Sequence, residues 1–240
     1  MKTVLKILYQ PYKFIVFLPF VVITTTVMGT AAVVLATVVG PKVASWSGVI
    51  WARLISWATP MALTCRGKEH IRSGQSYVVV SNHQSQYDIF ALYGWLGIDF
   101  KWVMKKELRR VPVLGYSCEK IGHIFIDRSN REAALRSLKA ARRRVVGGTS
   151  VLFFPEGTRS RDGQMLPFKM GAFKMAISLG LPILPVSIRG TRNILPTRTI
   201  DLFPGRAVMT VHPPIDTSRY GEDGLKELMA DTREVIASAL

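Results

Sequence analysis

The hydrophobic pattern divides the chain into an apolar amino-terminal stretch and a longer body in which short apolar runs alternate with helical patterns. No Asp or Glu precedes Glu69, and residues 14–41 carry no charged side chain. A helix over this uncharged run is long enough, at about 1.5 Å per residue, to cross a hydrocarbon layer of roughly 30 Å. The pattern therefore predicts a membrane element over residues 1–65, built as a helical hairpin or anchor.

Two placements of this element in a membrane are open. Basic residues flank the uncharged run on both sides: Lys2, Lys6 and Lys13 before it, and Lys42 after it. The positive-inside rule therefore gives no clear orientation. Three tryptophans stand among the apolar residues of the next stretch, 43–63, a composition typical of an amphipathic helix at headgroup level: Trp46, Trp51 and Trp57. Both a span and a hairpin dipping into one leaflet fit, whereas a cleaved signal peptide is disfavoured because its apolar core is shorter.

The body of the chain, residues 66–240, alternates between strand and helix patterns. Six short apolar runs are predicted to be buried strands: 77–81, 100–104, 123–126, 150–154, 183–188 and 207–211. Four stretches have helical periodicity or helix-boundary residues: 88–96, 130–146, 171–179 and 224–239. This order predicts an α/β fold with a mixed, mostly parallel sheet flanked by helices. Ligands of such sheets bind beyond the carboxyl ends of the strands.

Charge and composition restrict the partners. The chain has 32 Lys and Arg against 16 Asp and Glu, a formal net charge of +16, which favours an anionic partner such as phospholipid or a phosphorylated metabolite. Cys65 and Cys118 show neither metal-ligand spacing nor a disulfide framework, and no H-E-x-x-H motif occurs. We therefore expect free thiols, no metal and no cofactor. A nucleic-acid-binding module is disfavoured because it leaves the apolar amino terminus unexplained.

The first candidate motif directly follows the predicted strand 77–81. It reads Asn82-His83-Gln84-Ser85-Gln86-Tyr87-Asp88. On one regular helix, side chains five residues apart are rotated by roughly 140° and cannot meet, but a strand–loop–helix junction allows Asp88 to accept a hydrogen bond from one nitrogen of His83. A histidine base with an orienting carboxylate activates hydroxyl groups near neutral pH. The alternative is that Asp88 caps a helix and His83 is an ordinary turn residue.

The second candidate motif, residues 153–160, follows another predicted strand and reads FFPEGTRS. Pro155 and Gly157 predict a tight turn. Such a turn can direct backbone N–H groups, the Thr158 hydroxyl and the Arg159 guanidinium at one anionic group, which suits a phosphate. An acidic Glu156 would repel a phosphate, so we assign it a supporting role in orienting Arg159 or a substrate hydroxyl. The alternative is a plain turn with a solvated basic edge.

Both motifs together make the sequence resemble the glycerolipid acyltransferase family, most closely the 1-acylglycerol-3-phosphate acyltransferases. Two further blocks agree with that family in order along the chain. One is 105–108 with Pro112, Gly115 and 122–128, and the other is 181–186. The resemblance covers roughly residues 68–215. It implies an α/β fold and transfer of a fatty acyl group from acyl-CoA or acyl-carrier protein to the sn-2 hydroxyl of 1-acylglycerol-3-phosphate, giving phosphatidic acid.

The resemblance also implies roles for individual residues. His83 would remove the proton of the acceptor hydroxyl without an acyl-enzyme, and Asp88 would fix the His83 tautomer. Six residues are expected to bind or support the substrate phosphate: Arg159, Thr158, Gly157, Glu156, Lys105 and Arg128. We expect an inner (cytoplasmic) membrane location with the catalytic domain on the cytoplasmic side. Acylation of another lysolipid, transacylation between lipids and lipid ester hydrolysis are the alternatives.

Overall fold

The computed structural model describes residues 7, 9–145, 147–221 and 223–240, so the predicted flanking residues Lys2 and Lys6 and the predicted helix position Val146 lie outside the described residues. Seven strands occur in the described part: β1 Met61–Arg66, β2 Val78–Ser81, β3 Phe100–Lys105, β4 Ile124–Ile126, β5 Ser150–Phe153, β6 Ile183–Arg189 and β7 Gly205–Val211. Its α-helices are α1 Leu18–Val38, α2 Pro41–Ala58, α3 Tyr87–Trp95, α4 Leu114–Ile121, α5 Arg131–Ala141, α6 Gly171–Leu179, α7 Thr191–Ile194 and α8 Leu225–Ala237.

The strands form one sheet in the order β1-β7-β6-β2-β5-β3-β4. Strands β6, β2, β5, β3 and β4 run parallel, whereas β7 pairs antiparallel with β6 and parallel with β1. The predicted mixed, mostly parallel sheet flanked by helices is confirmed. In the centre, Val80 of β2 pairs with Phe153 of β5 and Pro185 of β6. The loops that follow these three strands therefore leave the sheet at the same edge, called the carboxyl edge below.

The two faces of the sheet are covered by different helices. The amino-terminal helices α1 and α2 form an antiparallel hairpin that turns at Gly40 (φ 131°) and packs with α3 against one face, where Ile55, Tyr77 and Leu92 are buried. On the other face, Phe173 of α6 and Leu228 of α8 are buried against the sheet. Among the described residues, Tyr9–Val38 forms one helical segment that is long and apolar enough to cross a membrane, by length and composition alone.

The hairpin leaves a broad apolar face uncovered. Side chains on both of its helices and on the helical residues just before α1 are half to three-quarters exposed, among them Phe14 (51%), Ile15 (73%), Val22 (64%), Trp46 (63%) and Trp57 (62%). On the inner side, α1 packs closely against α4 at Gly29, where an added Cβ would lie 2.5 Å from Cγ1 of Val113. The glycine thus permits close approach of the hairpin to the α/β fold.

Three elements differ from the sequence-based expectation. Strand β1 runs across the predicted boundary at residue 65, because Met61–Arg66 pairs with β7 within the sheet. Its first three residues belong to the apolar stretch 43–63, and only Thr59 and Pro60 separate the strand from α2 in the sequence. Helix α4 was not predicted, since it lies in a segment that contains Pro112 and Gly115 and is preceded by Val113 with a positive φ of 60°. The short helix α7 was not predicted either.

Candidate active site

The first motif lies at the carboxyl edge, in the junction between β2 and α3. His83 follows the strand by two residues and Asp88 lies in the first turn of α3. Because the intervening residues form a loop rather than helix, the two side chains meet: Nδ1 of His83 lies 2.9 Å from Oδ2 of Asp88. The carboxylate is fully buried, while the imidazole keeps 13% of its surface exposed. Nε2 has no hydrogen-bond partner among the described residues, so it is the nitrogen left for a substrate proton.

Four hydrogen bonds hold the carboxylate of Asp88 in place. Besides the imidazole, the backbone N–H groups of Gln84 (2.7 Å) and Ser85 (2.8 Å) donate to Oδ2. The hydroxyl of Thr191, at the start of α7, donates to Oδ1 at 2.5 Å. Since Oδ2 of an ionised carboxylate accepts only, Nδ1 of His83 carries a proton and Nε2 is free to accept one. The arrangement fixes both the ring orientation and the tautomer.

The second motif supports the imidazole from β5. The ring of Phe154 stacks on that of His83, with centroids 3.8 Å apart and an interplanar angle of 8°. Oε1 of Glu156 accepts the backbone N–H of His83 at 2.7 Å, and the backbone N–H of Ser160 donates to the carbonyl oxygen of His83 at 2.9 Å. Residues 154–160 therefore pack along the loop of residues 82–86 between β2 and α3, which is called the catalytic loop below.

Glu156 is placed differently from the sequence-based expectation. Its side chain is buried, with 3% exposure, and its second oxygen accepts the backbone N–H of Leu166 at 2.8 Å. Burial raises the pKa of the Glu156 carboxyl above its usual value. Both oxygens accept backbone N–H groups, and among the described residues Glu156 forms no hydrogen bond or ion pair with the Arg159 guanidinium that it was expected to orient. Glu156 instead ties the loop of His83 to the loop that contains Leu166.

Several cationic side chains surround the turn at Gly157, which has a left-handed φ of 74°. The Arg128 guanidinium donates to the carbonyl oxygen of Gly157 at 2.5 Å. A Cβ on Gly157 would lie 2.7 Å from Nζ of Lys169, so that ammonium group lies directly over the turn. Arg159 is half-buried two residues further on and has no carboxylate partner among the described residues. The turn is thus suited to an anionic group.

The remaining predicted residues lie at the edges of this group. Thr158 is exposed next to Gly157. Lys105 ends β3 and pairs in register with Ile126 of β4, two residues before Arg128. Its side chain is 54% exposed, and its ammonium nitrogen lies 3.5 Å from a carboxylate oxygen of Glu107.

A cavity of about 410 Å³ opens beside these residues and is called the catalytic hollow below. Its walls are mainly apolar and include Val103, Ile126, Phe153, Phe154 and Leu138. Cationic residues stand at its rim, namely Arg128, Lys169 and Lys174. Because Phe154 also stacks on His83, the hollow lies next to the imidazole and offers space for an apolar group with an anionic end.

Two supporting residues were missed by sequence reasoning. Thr191 contacts Asp88 from a position 103 residues later in the chain, and no local pattern marks it. Asn82 belongs to the motif, and its side-chain amide donates to and accepts from the backbone of Ile188, both at 2.8 Å. A buried amide that pairs β2 with β6 holds the catalytic loop at the carboxyl edge. Only its position beside His83 hinted at such a role.

The His83–Asp88 pair beside a cationic turn and an apolar cavity is typical of a histidine-dependent acyltransferase, and comparison with known proteins agrees. A family model described as Acyltransferase matches residues 62–189, more than half of the chain. The chain belongs to the acyltransferase family, as the resemblance indicated.

Its relatives narrow the family further. A 1-acyl-sn-glycerol-3-phosphate acyltransferase of Chlamydomonas reinhardtii is 33% identical over 237 residues, which are 98% of this chain and 69% of that protein. A protein of the same name from Escherichia coli K12 is 34% identical over 181 residues, covering 73% of this chain and 71% of its own. Among solved structures, the 1-acyl-sn-glycerophosphate (LPA) acyltransferase of Thermotoga maritima matches with a TM-score of 0.83 at 25% identity, covering 100% of this chain and 96% of that chain.

Proposed function

We propose that this enzyme transfers a fatty acyl group from a thioester donor to the sn-2 hydroxyl of 1-acylglycerol-3-phosphate and so produces phosphatidic acid. The observation that carries the proposal is the His83–Asp88 pair, 2.9 Å apart, set beside a turn ringed by cations. The pair activates a hydroxyl, and the cations select an acceptor that bears a phosphate. The names of the relatives from Chlamydomonas reinhardtii and Escherichia coli support this acceptor.

In the proposed reaction, Nε2 of His83 takes the proton of the acceptor hydroxyl while its oxygen attacks the thioester carbonyl. The C–O bond forms, the C–S bond breaks, and the imidazolium returns the proton to the leaving thiolate. The buried Asp88 carboxylate stabilises the imidazolium that forms between these two proton transfers. No acyl-enzyme is needed, because Ser85, the hydroxyl nearest along the motif, donates to the carbonyl oxygen of Leu195 at 2.7 Å instead of to His83.

The acceptor phosphate is assigned to the turn at Gly157. Arg159 supplies a guanidinium that has no carboxylate partner in the described part of the chain, Arg128 and Lys169 flank the turn, and Lys105 stands at the end of β3. A guanidinium binds a phosphate with two parallel N–H donors, which a lysine cannot match. Arg159 is therefore expected to contribute most to acceptor affinity.

We further propose that the hairpin of α1 and α2 lies in one leaflet of a membrane and does not cross it. Gly29 of α1 packs against Val113 and Ser117. A transmembrane α1 would therefore draw α4, with its charged Glu119 and Lys120, towards the hydrocarbon, which is costly. The exposed Phe14, Ile15, Trp46 and Trp57 instead form one apolar face suited to the interface. The cytoplasmic side of the inner membrane remains the predicted location.

The test is a comparison of acceptors in mixed micelles with a fixed acyl-CoA donor. The proposal predicts ester formation with 1-acylglycerol-3-phosphate and at least tenfold lower kcat/KM with lysolipids in which the phosphate carries a choline or ethanolamine group, because a monoester phosphate accepts more hydrogen bonds. Arg159→Ala should raise the KM for the phosphate monoester and leave the KM for the donor nearly unchanged. An equal preference for all lysolipids would overturn the assignment of the acceptor.

A lipid esterase is the second candidate, since the same histidine can activate water. The products separate the two reactions: a transferase releases one thiol for each new ester, whereas an esterase releases free fatty acid. The catalytic hollow favours transfer because its apolar walls, which include the Phe154 ring stacked on His83, suit the acyl end of a donor.

A further inference from the structure

A second concave site lies on the face of the sheet opposite the hairpin. It has a volume of about 380 Å³ and lies between α5, α6 and the first residue of α8. Three of its lining residues are cationic, Lys139, Arg142 and Lys174, and its floor is apolar, with Leu138, Met175 and Leu225. None of the described residues that line it is acidic. This site is called the basic groove below.

The basic groove continues the catalytic hollow. The two cavities share Leu138, Gly171 and Lys174 as lining residues. From Gly171 to Ser178 the groove follows α6 for about 10 Å away from the carboxyl edge, at 1.5 Å per residue. A ligand with its head in the groove can therefore extend an arm through the hollow to Phe154, whose ring stacks on His83.

The cations of the groove are available to a ligand. Lys139 and Lys174 are exposed, and neither ammonium group has a carboxylate or hydrogen-bond partner among the described residues. The guanidinium of Arg142 donates to the carbonyl oxygen of Ser178 at 2.5 Å, which fixes it against the wall of the groove and leaves other N–H donors free. Three cations around one apolar floor suit a head with several phosphates.

We propose that the basic groove binds the phosphate-bearing nucleotide head of acyl-CoA, and that the pantetheine arm passes through the catalytic hollow to His83. The inference rests on the proposed function, which requires a thioester donor. The phosphate of the acceptor is already assigned to the turn at Gly157, so a second cationic site fits the other substrate. The volume of the groove lies within the roughly 300–1,000 Å³ of small-molecule sites, which favours a nucleotide over a protein surface.

The position of the groove supports the same assignment. The hairpin covers one face of the sheet, and the groove lies on the other. If the hairpin rests in a membrane, the groove faces the aqueous phase, from which a soluble donor arrives. The lipid acceptor and the donor then approach His83 from opposite sides.

The test is steady-state kinetics of the full-length double variant Lys139→Gln/Arg142→Gln, which changes two cations that line the groove and not the catalytic hollow. Three substrates are varied: acyl-CoA, the phosphate-free acyl-pantetheine and 1-acylglycerol-3-phosphate. The proposal predicts a roughly tenfold or larger rise in KM for acyl-CoA, from the loss of two charge-assisted contacts, and changes within about twofold for the other two substrates. The matched control is Arg136→Gln/Arg143→Gln, which removes two charges from the same region without touching either cavity.

Several results would overturn the proposal. One is an equal rise in KM for acyl-CoA and acyl-pantetheine, and another is the same rise in the control, which would show a general effect of charge. A change in chain-length preference with unaltered phosphate dependence would assign the groove to the acyl chain. If the wild-type protein turns over no acyl-CoA, the proposed function fails with that donor. Calorimetric binding of CoA to the wild type and to the variant still tests the groove proposal in that case. Equal CoA binding by both proteins would refute the groove proposal, even if an acyl-carrier protein supports turnover.

Discussion

Replacing Asp88 by Asn should remove the charge of the catalytic pair while keeping its geometry. Oδ2 of Asp88 faces three N–H donors, those of His83, Gln84 and Ser85, at 2.7–2.9 Å. An asparagine must therefore place its amide oxygen at this position. Its amide nitrogen then faces the hydroxyl oxygen of Thr191, which can accept a hydrogen bond. His83 keeps its proton on Nδ1, so Nε2 remains the base.

The expected loss follows from this geometry. Hydrogen bonds to a charged group contribute about 1.5–3 kcal/mol, against roughly 0.5–1.5 kcal/mol for neutral pairs, so removing the charge costs about 1–2 kcal/mol. That corresponds to a roughly 5- to 30-fold lower kcat. It is far less than the loss of about 10⁴-fold seen where an Asp-to-Asn change imposes the wrong histidine tautomer. Asp88→Ala should be much worse, because it removes the orienting group and leaves a buried hydroxyl and two N–H groups without their acceptor.

The assay is single-turnover acyl transfer at saturating substrates, with circular dichroism and thermal unfolding as checks on folding. If a folded Asp88→Asn were as inactive as Asp88→Ala, the argument from the three donors would be refuted. Wild-type activity in Asp88→Asn would show that the charge plays no part.

Three further predictions concern residues around the site and in the core. Thr191→Val should lower the free energy of unfolding by about 1.5–3 kcal/mol and reduce kcat, because it removes a hydrogen bond to a buried carboxylate. The control Thr191→Ser should retain both the stability and the kcat of the wild type. An unchanged free energy of unfolding for Thr191→Val in urea would contradict the contact. Glu156→Gln should lower Tm, since the amide nitrogen of the glutamine must face the backbone N–H of either His83 or Leu166. The decrease should be roughly 2–4 °C for each kcal/mol of unfolding free energy that is lost. An unchanged Tm in calorimetry would argue against the double acceptor role. Burial lowers the pKa of His123 from 6.5 to about 3, so the unfolded state binds one more proton between these values and stability is lost as pH falls through that window. His123 should contribute about 1.4 kcal/mol per pH unit to the pH dependence of the unfolding free energy. Urea unfolding from pH 7 to 4 should show a shallower pH dependence for His123→Gln than for the wild type. Parallel plots of unfolding free energy against pH would contradict the assignment.

The central sheet was predictable because its strands are short, apolar and separated by helical segments. Strand β2 and helix α6, predicted over 77–81 and 171–179, appear as Val78–Ser81 and Gly171–Leu179. Asn130 begins α5 as expected, since its side chain accepts the backbone N–H of Ala133 at 2.9 Å. Strand β1 was not predicted, because its first residues continue the apolar stretch of α2 past Pro60 and its partner β7 lies far away in the sequence.

The candidate site was predictable where its chemistry is local. His83 and Asp88 are five residues apart, and a loop between strand and helix was enough to bring them together. Thr191 and Lys169 reach the site only through the sheet order, which places β5 and β6 on either side of β2. The supporting role of Glu156 also depends on distant partners, since its oxygens bind backbone N–H groups of two other loops. Sequence spacing carries no information about such contacts.

The central claim is that His83 transfers a proton so that an acyl group moves to a lipid hydroxyl. It is tested most directly by measuring thiol release and phosphatidic acid together in mixed micelles of acyl-CoA and 1-acylglycerol-3-phosphate, for the wild type and His83→Ala. The account predicts one ester for each thiol in the wild type, and no ester above background in a folded His83→Ala that still binds the lysolipid. Ester formation by His83→Ala at the wild-type rate, or thiol release with free fatty acid as the product, would contradict it.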